Sequence, residues 1–154
     1  MHTDLWNYCL NLYARPGVEH ACLSLQEQGL DVCLLLCGAW LQQRGVAYNE
    51  AGLLQLKACA VPWQRDVVSP LRHVRIQWRE AAAHDKALSA LRAQIKSLEL
   101  EAEQTLLRRL EVLTQGWALA QAEHCSDWLG KIAEDAQQPD CGALLELRAA
   151  IDCT

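Results

Sequence analysis

Phenylalanine is absent from the 154 residues, and only four prolines interrupt them. β-Branched and aromatic residues, which favour strands, are thin, while the strong helix formers dominate as 27 leucines and 22 alanines. These shortages predict an all-α protein. No apolar run reaches the roughly 18 residues that would signal a membrane span, so none is expected. Met1-His2-Thr3-Asp4 has neither the basic nor the apolar region of a signal peptide, which gives the expectation of a cytoplasmic location. The eight cysteines (9, 22, 33, 37, 59, 125, 141 and 153) form no Cys-x-x-Cys pair, which removes the commonest zinc-knuckle and thioredoxin-like signatures. In a reducing cytosol they are expected to stay free and to act as small hydrophobes. There is no Gly-x-Ser-x-Gly, no Gly-x-x-x-x-Gly-Lys-Ser/Thr, no His-Glu-x-x-His and no glycine-rich dinucleotide turn. No catalytic residue, metal ligand or cofactor is therefore assigned, and the reading leans away from an enzyme.

The residues that are present suit one globular domain over 1–154, with 51% apolar and 21% charged. Charge is divided unevenly. Residues 1–80 hold seven Lys/Arg against seven Asp/Glu, and residues 81–154 hold seven against twelve, so the net charge of −5 lies in the C-terminal half. An acidic chain of this kind argues against a nucleic-acid partner.

Periodicity predicts about four to five helices over 3–80. Thr3-Asp4 opens the first, with Thr3 as N-cap, and Leu5, Tyr8/Cys9 and Leu12 recur along it. Pro16 is placed to start the second, which Gly29 stops. The third holds Leu30, Cys33/Leu34, Cys37 and Trp40/Leu41 on one stripe and ends near Arg44-Gly45. Asn49 reads as the N-cap of a fourth. Pro62 and Pro70 punctuate the next stretch, with Ser69-Pro70 as N-cap and first residue of a new helix. Over 84–154 an acidic extension begins. Leu88, Leu91, Ile95, Leu98, Ala102, Leu106, Leu110, Leu113 and Trp117 are spaced 3,4,3,4,4,4,3,4, a coiled-coil-like seam with a stutter. Glu99, Glu101, Glu103, Arg108 and Arg109 lie between as a solvated face. Gly116 either ends this helix in a hairpin or is carried through. Gln137-Gln138-Pro139-Asp140 breaks the chain before a short final helix, 141–151.

The pattern Leu5, Trp6, Leu10, Leu12, Tyr13, then Pro16-Gly17-Val18, then Gly29, Asp31 and Val32, then Pro70-Leu71-Arg72 resembles a family of small uncharacterised proteobacterial proteins over residues ~3–80. That resemblance implies a bacterial cytoplasmic helical protein of a family without an assigned function, and it carries over no site residues. "RDVVSPLRHVRIQWRE" also resembles a segment of squalene/phytoene-synthase-like helical proteins. The chain has no Asp-x-x-x-Asp or Asp-Asp pair, so that likeness implies fold and not activity.

Three groups could do more than fold the chain. Cys33 and Cys37, at i and i+4, could share a metal with ligands drawn from His20, Cys22, Cys59 and Cys9, and a thiol-based sensor would use Cys22, Cys33 and Cys37 with His20, but leucine neighbours favour a plain core. His124 and Cys125 are adjacent, so their side chains point about 100° apart and do not make a catalytic pair. Arg65, Arg72, Arg75 and Arg79 would share one side of a helix over 65–79, where unpaired like charges repel. They are either a plain solvated face, or compensated by Glu99, Glu101 and Glu103, or a site for an acidic protein or a phosphate-bearing ligand, which the guanidinium fork suits. Trp6, Trp40 and Trp78 fit apolar faces as core anchors. Trp117 and Trp128, eleven apart, would form either an exposed seam or inter-helix packing. The leading expectation is a helical interaction or adaptor protein with an unidentified protein partner. It would bind through the arginine stripe or the C-terminal helix face, and that face could equally pair with a second copy.

Overall fold

The computed structural model describes residues 4–120, 127–134 and 141–152. The helices are α1 (Leu5–Tyr13), α2 (Val18–Glu27), α3 (Val32–Gln43), α4 (Glu50–Trp63), α5 (Ser69–Gln77), α6 (Arg79–Ala82), α7 (Lys86–Leu113), α8 (Trp128–Ala133) and α9 (Cys141–Asp152), with a π-helical turn at Gln64–Val68 between α4 and α5. Among the described residues an isolated antiparallel bridge, Val46 to Leu119, is the only strand-like pairing. No helix among them is long and apolar enough to cross a membrane. The expected all-α class is what forms.

Short polar side chains set the helix starts. Asp4 caps α1 by accepting from the Asn7 N–H at 2.8 Å, in place of Thr3, which lies outside the described residues. Asp31 caps α3 through the Leu34 N–H at 3.1 Å, and Asn49 caps α4 through the N–H groups of Ala51 and Gly52. Pro16 does not open α2; Gly17 takes the N-cap position and the helix begins at Val18. Gly29 and Gly45, at φ +88° and +72°, end α2 and α3 in a left-handed turn that a β-carbon would strain. Behind them Leu30 and Val46 donate back to the carbonyls of Leu25 and Leu41.

The third helix is more central than one apolar stripe implies. Every residue from Cys33 to Leu41 is buried, so "CLLLCGAWL" is surrounded on all sides. α8 crosses it at Gly38, where an added β-carbon would fall 2.5 Å from Ile132 Cδ1 and 3.4 Å from Trp128 Cβ. α9 packs on α2, and the Arg15 guanidinium donates to the Ala150 carbonyl.

Neither proline interrupts the fourth helix as expected. The chain stays helical from Glu50 through Gln77, and Ser69 is not an N-cap. Pro70 has no N–H for an α-type bond and its ring would crowd the carbonyl four residues earlier. The π-turn just before it widens the helix, and the Ser69 N–H donates five residues back to Gln64.

α7 ends at Leu113, and a turn over Thr114–Gly116 reverses the chain. Trp117 and Trp128 are therefore not on one continuous helix. They stack with ring centroids 5.9 Å apart, and Trp128, fully buried, donates from its indole nitrogen to the Val46 carbonyl at 2.9 Å. Inter-helix packing, not an exposed seam, is their role. The C-terminal part of α7 gives Leu106, Leu107 and Leu110 to the same core as Leu5, Leu12, Leu25 and Leu41, and the Leu5 N–H donates to Glu111 at 2.6 Å. The expected break at Gln137-Gln138-Pro139-Asp140 lies outside the described residues.

Trp128→Ala removes a whole indole from under α3 together with its hydrogen bond. Urea titration should show a loss of about 3–5 kcal/mol in unfolding free energy, the range for truncating a buried aromatic residue.

Candidate interaction surface

α4, the π-turn and α5 run as one rod antiparallel to α7, whose 28 residues span about 42 Å. The lower half of this pair joins the core. The upper half projects from it: between Val68 and Glu99 no residue is buried. Leu71, Val74 and Trp78 are half-buried on one side of this hairpin, and Leu88 and Ile95 on the other.

Ion pairs hold the two halves of the hairpin where it meets the core. Arg72 Nε reaches Glu99 Oε1 at 2.9 Å and its Nη2 reaches Glu103 Oε1 at 2.9 Å. Arg75 Nε reaches Glu99 Oε2 at 2.5 Å. Gln26, with its amide oxygen turned to Arg72, accepts from the same guanidinium, and Arg92 Nε donates to the Arg75 carbonyl at 2.8 Å. Burial pushes the Glu99 carboxyl up, but hydrogen bonds and charge from Arg75 and Arg72 outweigh it and leave the group below its ordinary value. Glu103 is raised, because its burial exceeds what Arg72 returns and Glu99 lies close. Asp31 is raised too, by burial, although Leu34 and Gln64 donate to it.

The four arginines thus separate. Arg72 and Arg75 are turned into α7, with the compensation by Glu99 and Glu103 that repulsion within the stripe demands. Arg65 is exposed and pairs with its neighbour Asp66 at 2.8 Å, an arrangement of little energetic weight. Arg79 is exposed and has no ion pair among the described residues. Glu99 and Glu103 leave the solvated face and compensate the stripe, the other expectation for them, whereas Glu101, Arg108 and Arg109 are exposed.

The seam on α7 is corrected in the same way. The side that meets α5 carries Leu88, Arg92, Ile95 and Glu99, and this leaves Leu91 and Leu98 outside it, 51% and 47% exposed. Leu91 and Leu98, two turns apart, share one flank of the helix. At the lower end of the hairpin Gln55, Ala58 and Cys59 of α4 face Arg108, Arg109, Val112 and Leu113 of α7 across an open, largely apolar groove of about 600 Å³. The Arg109 guanidinium stacks over Trp63 with Cζ 4.2 Å from the ring centroid, and Trp63 Nε1 donates to the Ala102 carbonyl at 2.8 Å. This groove was not among the surfaces expected from the sequence. The available signal was Arg108-Arg109, a basic pair beside Val112 in an acidic segment.

The thiols divide by burial. Cys9, Cys22, Cys33 and Cys37 are buried, and desolvation raises all four, Cys9 to about 12. His20 is exposed, on another side of α2 from Cys22. Among the described residues no three His, Cys, Asp or Glu side chains converge as a metal site would require. Cys59 is half-exposed. His124 and Cys125 lie outside the described residues.

Two measurements test this geometry. Glu99→Gln leaves Arg72 and Arg75 short of a carboxylate and should cost about 2 kcal/mol at pH 7, discounted for the partial exposure of both arginines, whereas exposed Glu101→Gln should be close to neutral. A carboxyl depressed by folding stabilises above its unfolded pKa, near 4.5, and loses that contribution as pH falls through its lower folded value. Denaturant titrations of wild type and Glu99→Gln should therefore converge as pH drops below 4.5. Separately, maleimide labelling of the native chain with peptide mapping should modify Cys59 and leave Cys9, Cys22, Cys33 and Cys37 unlabelled until unfolding.

No curated protein and no solved structure matches the chain. A family model does, over residues 4–110, well past the region expected from the sequence. That span takes in the buried third helix, the ion pairs between α5 and α7, and Cys59, Arg108 and Arg109. The chain belongs to the family described as "Protein of unknown function (DUF2390)".

Proposed function

We propose that this chain is a cytoplasmic helical interaction protein whose binding surface is the open flank of α7. One observation carries the reading. From Ser69 to Leu98 the hairpin buries no residue, while Leu91 and Leu98 keep about half their surface in water on one flank. Helices are stabilised chiefly by burying an apolar face, and a lone helical pair leaves that burial incomplete. A partner covering this flank would remove the remaining leucine surface from water, a gain of about 1 kcal/mol for each side chain. Of the two surfaces that the sequence offers, the helix face is favoured over the arginine stripe, because Arg72 and Arg75 already have carboxylate partners. Arg65 and Arg79 remain the stripe's exposed members. No observation supports a thiol sensor or an isoprenoid-synthase-like role.

Leu91→Glu/Leu98→Glu tests this directly, because exposed positions tolerate such changes within about 0.5 kcal/mol of stability. Tagged wild type and double variant, matched in helicity, are used to capture partners from cell extract, with quantification by mass spectrometry. A partner reduced about tenfold in the variant is expected, equivalent to about 1.4 kcal/mol of binding. A partner set that does not change would sink the proposal. Sedimentation of both chains shows whether the partner is a second copy.

A further inference from the structure

The groove at the lower end of the hairpin says more about what docks there. Its walls are Ala58 and Cys59 on one helix and Val112 and Leu113 on the other, and Val112 is 61% exposed. It is open along two parallel rods, not enclosed, so it suits a third helix better than a compact small molecule. Helices packed in this way lie about 8–10 Å apart, which places such a helix against both α4 and α7.

Charge selects among the helices that could lie there. Arg108 and Arg109 are adjacent at the rim, and neither has an ion pair among the described residues; Arg109 is held over Trp63. In a chain of net charge −5, with acids elsewhere on α7, two uncompensated guanidinium groups form a local positive site. The guanidinium fork favours carboxylates, and its stacking on an indole fixes it without neutralising it. A basic partner would meet repulsion from both arginines at this rim.

We infer that the groove between α4 and α7 receives an acidic amphipathic helix of a partner protein, with its apolar stripe on Ala58, Cys59, Val112 and Leu113 and its carboxylates on Arg108 and Arg109. This rests on the reading of α7 as an interaction face and specifies the occupant at one end of it.

The test uses the full chain and three fluorescent helix-forming peptides of about 18 residues, long enough to be helical in water. One has a leucine stripe among glutamates, one the same stripe among lysines, and one the glutamates with glutamine in place of the stripe. Anisotropy titrations should show the first peptide binding about tenfold more tightly than either of the others, a preference set by both charge and burial. Arg108→Glu/Arg109→Glu should reverse the order of the first two. Val112→Ser, which leaves Trp63 and both arginines in place, should weaken the first without reversing it. In the wild type, saturating acidic peptide should also slow maleimide labelling of Cys59 several-fold.

No saturable binding overturns the inference. So does a preference unchanged by charge reversal, or equal binding of the peptide without leucines. If the peptides fail while Leu91→Glu/Leu98→Glu still loses its partner, only the occupant assigned to this groove is wrong. If that loss also fails, the interaction face goes with it.

Discussion

Glu99 is the residue that locks the two arms of the hairpin together where they leave the core. It lies where α7 leaves the core, 6% exposed, and it meets two guanidinium groups from α5. Below it, leucines hold α7 among α1, α3 and α4. Above it, the helices have only half-buried contacts with each other. A buried carboxylate with one partner would be a poor source of stability, because desolvation takes back much of the attraction. Two arginines, each also reaching a second acceptor in Glu103 or a second oxygen of Glu99, change that balance and fix the register of α5 on α7.

The same residue shows where sequence reading stops. The helix cap at Asn49 and the turns at Gly29 and Gly45 are local, set by atoms within five residues, and they were legible; the Asp31 cap, equally local, was passed over because Leu30 before it continues the apolar stripe. The burial of Cys33 and Cys37 was legible too, because a thiol among leucines has nothing else to do. The face of α7 was not. Periodicity counts apolar residues as inward, so Leu91 and Leu98 looked like seam and Glu99 like surface; only the charge balance of the arginine stripe pointed to Glu99 and Glu103 as partners, without choosing them over Glu101. The partners that draw Glu99 inward lie 24 and 27 residues away, and no window along α7 contains them. Pro70 misled for a related reason. Its missing donor predicts a break, but one widened turn absorbs it at less cost than a new helix start.

The proposed interaction face was legible only as an alternative. The arginine stripe and the C-terminal helix were each candidates, and the four arginines alone could not separate them. The spatial pairing favours the helix. Arg72 and Arg75 compensate the acids of α7, which leaves that helix with an apolar flank above and a basic rim below. Arg108 and Arg109 passed as a solvated pair, since their meaning depends on Cys59 and Trp63, which fold against them from far along the chain.

This arrangement places one helix in two roles. α7 is a core element through Leu106, Leu107 and Leu110 and a projecting arm through residues 86–98. Local opening is easiest where few apolar contacts must break, so the arm is the low-stability end and the bundle around α3 the high-stability end. A partner bound to the arm, as proposed, would hold the end with the fewest buried contacts. Its binding energy then has to cover the ordering of that end, which favours contacts that reach down past Glu99 to the rigid end. The groove at Arg108 and Arg109 lies there, fixed to the core by Trp63. A helix laid along α7 would be gripped at its rigid end first and would close the open face of the hairpin as it extends upward.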